Sequence, residues 1–153
     1  MASYKTILVG TDGSPSSFRA VERAAAVAGD AGATLLIVSA YAPMPDRDQR
    51  RAAEALGEES YKVVGSHPAD DIVREATELA KKAGAKKIAS VSQPGDPVDV
   101  LVDVIDKQKV DLCVVGNRGL NSLAGRLLGS VPANISHRAA CDVLIVHTTT
   151  RGR

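Results

Sequence analysis

Five short runs of apolar residues are spaced along the chain, and segments of helical periodicity separate them. The runs are Ile7–Val9, Leu35–Val38, Ile88–Val91, Leu112–Val115 and Val143–Val146. They are rich in Val, Ile and Leu, and most of them lack the polar alternation of a half-exposed strand. Strands that are covered on both faces, as in a parallel sheet, have this composition. The pattern therefore predicts five buried parallel strands.

Four further segments have the features of helices. The first begins at Ser14 and Pro15 and ends at Gly29 and Gly32, the second spans 69–83, the third begins at Asp96 and Pro97, and the fourth begins at Ser130 and Pro132. In the second, Ile72, Ala76, Leu79 and Ala83 are expected to share the buried face. Strands and helices that alternate in this way imply right-handed crossovers. The sequence thus predicts an α/β fold, a doubly wound open sheet with helices on both faces.

The whole chain, 1–153, is expected to form a single domain, because 153 residues with 44% hydrophobic content suffice for one core. One connection, 41–68, is longer than a usual loop between a strand and a helix. It has room for a short helix at 47–56. Two interpretations of this segment are open, a lid over a ligand site and an ordinary surface loop. Its mixed charges favour the surface loop. The end, 148–153, is expected to be a flexible tail.

Charge and composition narrow the function classes. The 19 basic and 18 acidic residues give a net charge of +1, which argues against nucleic acid as a partner. The apolar runs are too short to span a membrane, and the first residues do not form an apolar signal region. Cys113 and Cys141 lie in or beside apolar runs, as buried thiols of a reducing compartment do. We therefore expect a cytoplasmic protein.

The fourth apolar run leads into a glycine motif. Gly116 and Gly119 follow the predicted strand, and Gly129 and Ser130 precede the last predicted helix. Glycines at a strand end leave backbone N–H groups accessible, and a helix N-terminus adds free donors and a partial positive charge. Turns shaped by glycine alone are the alternative, but the combination with a strand and a helix start favours phosphate binding.

Asp12 follows the first predicted strand. Ligands of doubly wound sheets bind outside the carboxyl ends of the strands, where the strand order reverses. If the first and fourth strands are neighbours, Asp12 and the glycine motif share one crevice. Asp12 is then placed to accept hydrogen bonds from a base or a ribose.

The sequence contains no recognisable catalytic or metal site. His67, His137 and His147 are widely spaced, and no metal-ligand pattern links them. A Walker A motif and the Gly-x-Ser-x-Gly motif of serine hydrolases are both absent from the sequence. The residues predict a binding protein rather than an enzyme.

At these residues the chain resembles the universal stress protein family over nearly its whole length. The resemblance rests on the segment Val9–Ser14, on the spacing of Gly116, Gly119, Gly129 and Ser130, and on the closing run Cys141–Val146. It implies a Rossmann-like five-stranded parallel sheet in the order 3-2-1-4-5, with an adenine nucleotide between the first and fourth strands. It also implies a homodimer through the last strand, Val143–Val146, which otherwise leaves an apolar sheet edge bare.

The resemblance further implies which residues contact the nucleotide. Contacts to the base map to Gly10, Thr11, Asp12, Ser39 and Ala40. Contacts to phosphate and ribose map to Gly116, Asn117, Arg118, Gly119, Gly129, Ser130 and Val131.

Members of the family bind ATP or, in some short single-domain cases, cyclic AMP (cAMP), and this chain is most similar to the latter. Pro132 removes one backbone N–H from the first turn of the last helix, which a triphosphate would miss more than a cyclic phosphate. The expected function is to sense or sequester cAMP or ATP, the latter with or without Mg²⁺. Slow ATP hydrolysis remains an alternative, as does a stress-response protein that binds a partner and holds nucleotide structurally.

Overall fold

The computed structural model describes residues 3–42, 68–117 and 130–148, which form five strands and four helices in strict alternation. In chain order these are β1 (Thr6–Gly10), α1 (Pro15–Ala31), β2 (Thr34–Tyr41), α2 (Pro68–Ala83), β3 (Lys87–Pro94), α3 (Pro97–Gln108), β4 (Leu112–Gly116), α4 (Ser130–Arg138) and β5 (Asp142–Val146). The predicted short helix at 47–56 lies outside the described residues. None of these four helices is long and apolar enough to cross a membrane.

The five strands form one parallel sheet in the order β3-β2-β1-β4-β5. Within it, β1 pairs with β2 on one side and with β4 on the other, so that Ile7 lies opposite both Leu35 and Leu112. The predicted fold class and strand order are confirmed. The order reverses between β1 and β4, which is where a doubly wound sheet leaves a crevice.

Two apolar clusters cover the two faces of the sheet. Ile7 and Val9 of β1 belong to the cluster beneath α1 and α2, whereas Leu8 belongs to the cluster beneath α3 and α4. All three side chains are fully buried. Successive side chains of a strand point to opposite faces, so β1 contributes to both layers of the core.

The run Ile88–Val91 corrects one expectation. We expected it to be buried on both faces, but Ala89 and Ser90 of β3 are exposed, and Ile88 and Val91 are only partly buried. The reason is position, because β3 is an edge strand that pairs with β2 on one side. Local composition does not distinguish an edge strand from a central one.

Helix α1 begins at Ser14 and ends at Gly32 as predicted, but Gly29 does not help to end it. Ser14 caps it by accepting the backbone N–H of Ser17 at 3.1 Å. Gly32 closes it in the left-handed conformation, with φ of 66°. Gly29, expected to help end the helix, lies inside it, where a Cβ would sit 2.5 Å from the carbonyl oxygen of Gly84. Gly29 therefore allows a close approach of α1 to the chain that follows α2.

The buried face of α2 is rotated from the predicted one. Its buried residues are Ala69, Val73, Ala76 and Ala80. Ile72, Leu79 and Ala83 are only partly buried. Small side chains therefore lie along the centre of this interface, and the larger Ile72 and Leu79 lie at its margins.

Both cysteines are free thiols. Cys113, in the centre of the sheet, is fully buried, and this burial raises its pKa to about 12. The expectation of a buried thiol is confirmed for Cys113, whereas Cys141 is only partly buried.

Asp111 is the residue before β4 and lies at the amino ends of the strands, opposite to the crevice. Its side chain links this point to the beginning of β1. Its Oδ2 accepts the backbone N–H groups of Lys5 at 2.8 Å and of Thr6 at 2.9 Å. The bond from Thr6, and next that from Lys5, lowers the pKa of Asp111 below its ordinary 3.8. Because the folded state favours the ionised form, this contribution to stability is present above pH 3.8 and is lost as the pH falls below it.

We expect Asp111→Asn to lower the melting temperature at pH 7 by on the order of 2 °C, because the neutral amide makes weaker bonds to the two N–H groups. The difference from the unchanged protein should shrink below pH 3.8, where Asp111 itself becomes protonated. Thermal unfolding followed by circular dichroism at pH 7 and pH 3 measures both effects. Glu22→Gln, at an exposed position of α1, is the matched control. A deficit that stays constant with pH would contradict the assignment.

Candidate functional site

A cleft opens at the carboxyl ends of β1 and β4, where the strand order reverses. It contains about 510 Å³ of space, part of it open to solvent. Its walls come from the ends of β1, β2 and β4, the first turn of α1, and the amino ends of α3 and α4. The crevice predicted from the strand order is therefore formed.

One wall of the cleft is apolar. Its side chains are Val38, Ala40, Pro97, Leu101, Val115 and Val131. Val38 and Ala40 are two positions apart in β2, so the alternation of the strand turns both toward the α3 and α4 face. A slot of this kind suits a flat ring such as a nucleobase.

The facing wall is polar and comes from the turn between β1 and α1. Asp12, Ser14, Ser16 and Ser17 line it. Oδ1 of Asp12 accepts the backbone N–H of Ser14 at 2.9 Å, which is an Asx turn. This bond fixes the direction of the Asp12 carboxylate at the mouth of the cleft.

Thr11 holds this turn in place and is only 5% exposed. Its backbone N–H donates to the carbonyl of Val38 at 2.9 Å, and its Oγ1 accepts the N–H of Gly13 at 3.2 Å. Oγ of Ser17 donates its one proton to the carbonyl of Ser14 at 2.9 Å. The contact of 2.8 Å between Oγ1 of Thr11 and Oγ of Ser17 is therefore a bond that Thr11 donates.

The charges of the cleft favour a particular arrangement of a ligand. Among the described residues that line it, Asp12 is the one side chain that ionises. Val131, in the first turn of α4, brings the helix N-terminus to the same cleft, and this end carries a partial positive charge. An anionic group is thus favoured near α4 and disfavoured near Asp12.

The described lining of the cleft holds three serines and Asp12 but no histidine, cysteine or lysine. His137 and His147 are exposed and lie outside the lining. Within residues 3–42, 68–117 and 130–148, no group of three or more His, Cys, Asp and Glu side chains could hold a metal ion.

The structure brings together half of the residues that sequence reasoning assigned to the site. Those that line the cleft are Gly10, Thr11, Asp12, Ala40, Gly116 and Val131. Arg118, Gly119 and Gly129 lie outside the described residues. Ser130 begins α4, but its side chain is not described.

Two of the assigned residues do not line the cleft. Ser39 is 2% exposed, and its neighbours Val38 and Ala40 face the cleft, so its side chain points to the opposite face of the sheet. Asn117 follows Gly116 immediately, but its Oδ1 accepts two hydrogen bonds from Thr148. Thr148, expected to begin a flexible tail, is itself 2% exposed, and 149–153 lie outside the described residues.

Sequence reasoning missed several lining residues. They are Ser16, Ser17, Val38, Pro97, Leu101 and Val115, and Ser14 was assigned to helix capping alone. Strand alternation was a usable signal for Val38, since it lies two positions before the assigned Ala40. Pro97 and Leu101 had no such signal, because the packing of α3 beside the cleft is a tertiary contact.

The chain matches known proteins along nearly its whole length. A model of the universal stress protein family matches residues 3–147. A universal stress protein of Mycobacterium tuberculosis (strain H37Rv) is 57% identical over 149 residues, which cover 97% of this chain and 100% of the relative. A Thermus aquaticus universal stress protein is 32% identical over 151 residues, with 94% and 98% covered.

Solved structures of universal stress proteins are also similar to this chain. A universal stress protein crystallised in complex with cAMP is 47% identical, with a TM-score of 0.76 and coverage of 97% of this chain and 100% of that one. The universal stress protein UspA of Lactobacillus plantarum has a TM-score of 0.74 at 24% identity, with 95% and 99% covered, which shows the same fold.

We expect Thr11→Val to lower the free energy of unfolding by about 1–3 kcal/mol, because it removes a buried hydroxyl and leaves the N–H of Gly13 without its acceptor. Urea unfolding measures the loss. Thr11→Ser keeps the hydroxyl and is the matched control, for which we expect a smaller loss. A larger loss in Thr11→Ser than in Thr11→Val would show that the methyl group stabilises this turn more than the hydrogen bonds do.

Proposed function

The chain belongs to the universal stress protein family, and on this premise we propose that it binds an adenine nucleotide in the cleft between β1 and β4, with cAMP as its preferred ligand. One observation carries the proposal: a protein that is 47% identical along its full length has been crystallised in complex with cAMP. The apolar slot and polar wall described above supply a matching shape in this chain.

The two walls suggest how the nucleotide lies. The purine occupies the slot between Val38 and Leu101, where it is shielded from water. The Asp12 carboxylate accepts a hydrogen bond from the ribose or from the base. The phosphate lies near Gly116 and the N-terminus of α4, away from the negative charge of Asp12.

The charge balance supports a ligand of low charge. A helix N-terminus contributes about half of a positive charge, and Pro132 leaves its first turn one N–H donor short. A cyclic monophosphate carries a single negative charge, whereas ATP carries several. The cleft is therefore better matched to cAMP than to ATP among the residues that are described.

The proposed activity is reversible binding, by which the protein senses or sequesters cAMP. The homodimer through the last strand remains a prediction, supported by β5 as the outer strand, with Val143, Leu144 and Ile145 only partly buried. The cytoplasmic location also remains a prediction.

Isothermal titration tests the proposal directly. Nucleotide-free protein is titrated with cAMP, and separately with ATP in the presence and absence of Mg²⁺. We expect one cAMP per chain, tighter binding of cAMP than of ATP, and no release of phosphate. Absence of binding to either nucleotide would refute the proposal, and sustained phosphate release would point to a hydrolase instead.

We expect Asp12→Asn to weaken cAMP binding about tenfold, because a hydrogen bond to a charged acceptor is stronger than one to an amide. The amide oxygen still accepts the N–H of Ser14, so the turn and the melting temperature should be preserved. Titration measures the affinity and circular dichroism the fold. Asp71→Asn, on the exposed side of α2, is the matched control. Unchanged affinity in Asp12→Asn would show that the carboxylate does not contribute to nucleotide binding.

A further inference from the structure

Asn117 points away from the place that the family resemblance gives it. Its Oδ1 accepts the backbone N–H of Thr148 at 3.0 Å and the hydroxyl of Thr148 at 2.9 Å. Its backbone N–H donates to the carbonyl of Val146 at 2.9 Å, one step beyond the pairing of β4 with β5. The side-chain oxygen of Asn117 is thus hydrogen-bonded to the residue Thr148 that follows β5.

Thr148 connects Asn117 to helix α1. Its hydroxyl is hydrogen-bonded to Oγ of Ser16, and its carbonyl accepts a bond from Nη1 of Arg19. A hydroxyl has one proton, and that of Thr148 goes to Asn117, so Ser16 is the donor to Thr148. The N–H, hydroxyl and carbonyl of Thr148 are all bonded to side chains, which come from two separate parts of the fold.

The packing of Thr148 beside Gly116 adds to these hydrogen bonds. A Cβ on Gly116 would lie 3.2 Å from Cγ2 of Thr148 and 3.8 Å from the carbonyl oxygen of Ser16. The methyl group of Thr148 therefore packs beside the bare backbone of Gly116. Gly116 and Ser16 both line the cleft. Thr148 thus joins the β4 side of the cleft to its α1 side.

We propose that Asn117 is a positioning residue for nucleotide binding: through Thr148 it holds Gly116 at a fixed position relative to Ser16. We call Ser16, Asn117 and Thr148 the Thr148 clasp. The clasp sets the spacing of two walls of the cleft. The amide oxygen of Asn117 bonds to Thr148 and does not contact the ligand. The inference rests on the proposed function, because the affinity that the clasp controls is that for the nucleotide.

Removal of the Thr148 hydroxyl tests the clasp. Thr148→Val keeps the shape beside Gly116 and breaks the bonds of the hydroxyl to Ser16 and Asn117, so we expect cAMP affinity to fall about three- to tenfold. Thr148→Ser keeps the hydroxyl and should retain most of the affinity. Thr77→Val, which removes a hydroxyl bonded to the carbonyl of Val73 on α2, is the matched control and should bind normally.

A double-mutant cycle separates positioning from direct contact. If Asn117 acts through Thr148, adding Thr148→Val to Asn117→Ala should cost little further affinity. If Asn117 contacts the nucleotide directly, the two losses should multiply, and the inference is wrong. Affinities are measured by titration at a temperature where circular dichroism shows every variant folded, so that a loss of stability alone does not change the result.

Hydrogen exchange supplies a readout in the ligand-free protein. The amide proton of Thr148, bonded to Oδ1 of Asn117, should exchange at least about tenfold faster in Asn117→Ala. Unchanged exchange would overturn the clasp. Absence of cAMP binding to the unchanged protein would overturn the proposed function and this inference together, whereas binding that Thr148→Val leaves unaltered would overturn the inference alone.

Discussion

The pairing of β1 with both β2 and β4 is the constraint on which the rest of the structure depends. It places β1 in the middle of a parallel sheet, so Ile7, Leu8 and Val9 are buried on both faces. The helices that follow β1 and β4 lie on opposite faces of the sheet, α1 on one face and α4 on the other. The two helices diverge at the carboxyl ends of β1 and β4, and the cleft is the space that they leave.

The apolar slot of the cleft is continuous with the core. Val38 and Val115 are 1% and 4% exposed and belong to the cluster beneath α3 and α4, and both also line the cleft. The slot is thus the end of a core layer that none of the described side chains fills. This explains why its lining is apolar without any motif in the sequence, since strand alternation alone continues the layer to the ends of β2 and β4.

The fold was predictable because its signals are local. Buried runs, helix starts and their alternation specify a doubly wound sheet, and the strand ends give the positions of Gly10, Asp12 and Gly116. The errors arose where one residue depends on a distant one. Gly29 lies inside α1 and gives room to the backbone of Gly84, and the amide of Asn117 turns to Thr148, 31 positions away. Ser39 is a different case, because counting the alternation from Val38 already turns it to the opposite face.

The glycine motif has more than one physical cause. A glycine that ends a strand before a turn is readily attributed to the approach of a phosphate, and Gly116 does line the cleft. In this fold, however, the same position is packed against the methyl group of Thr148. A Cβ at 116 would need the methyl group of Thr148 to shift by a few tenths of an ångström, beside the bonds from Thr148 to Asn117 and Ser16. The packing of the chain itself therefore favours glycine at 116, independently of the nucleotide that we propose it admits.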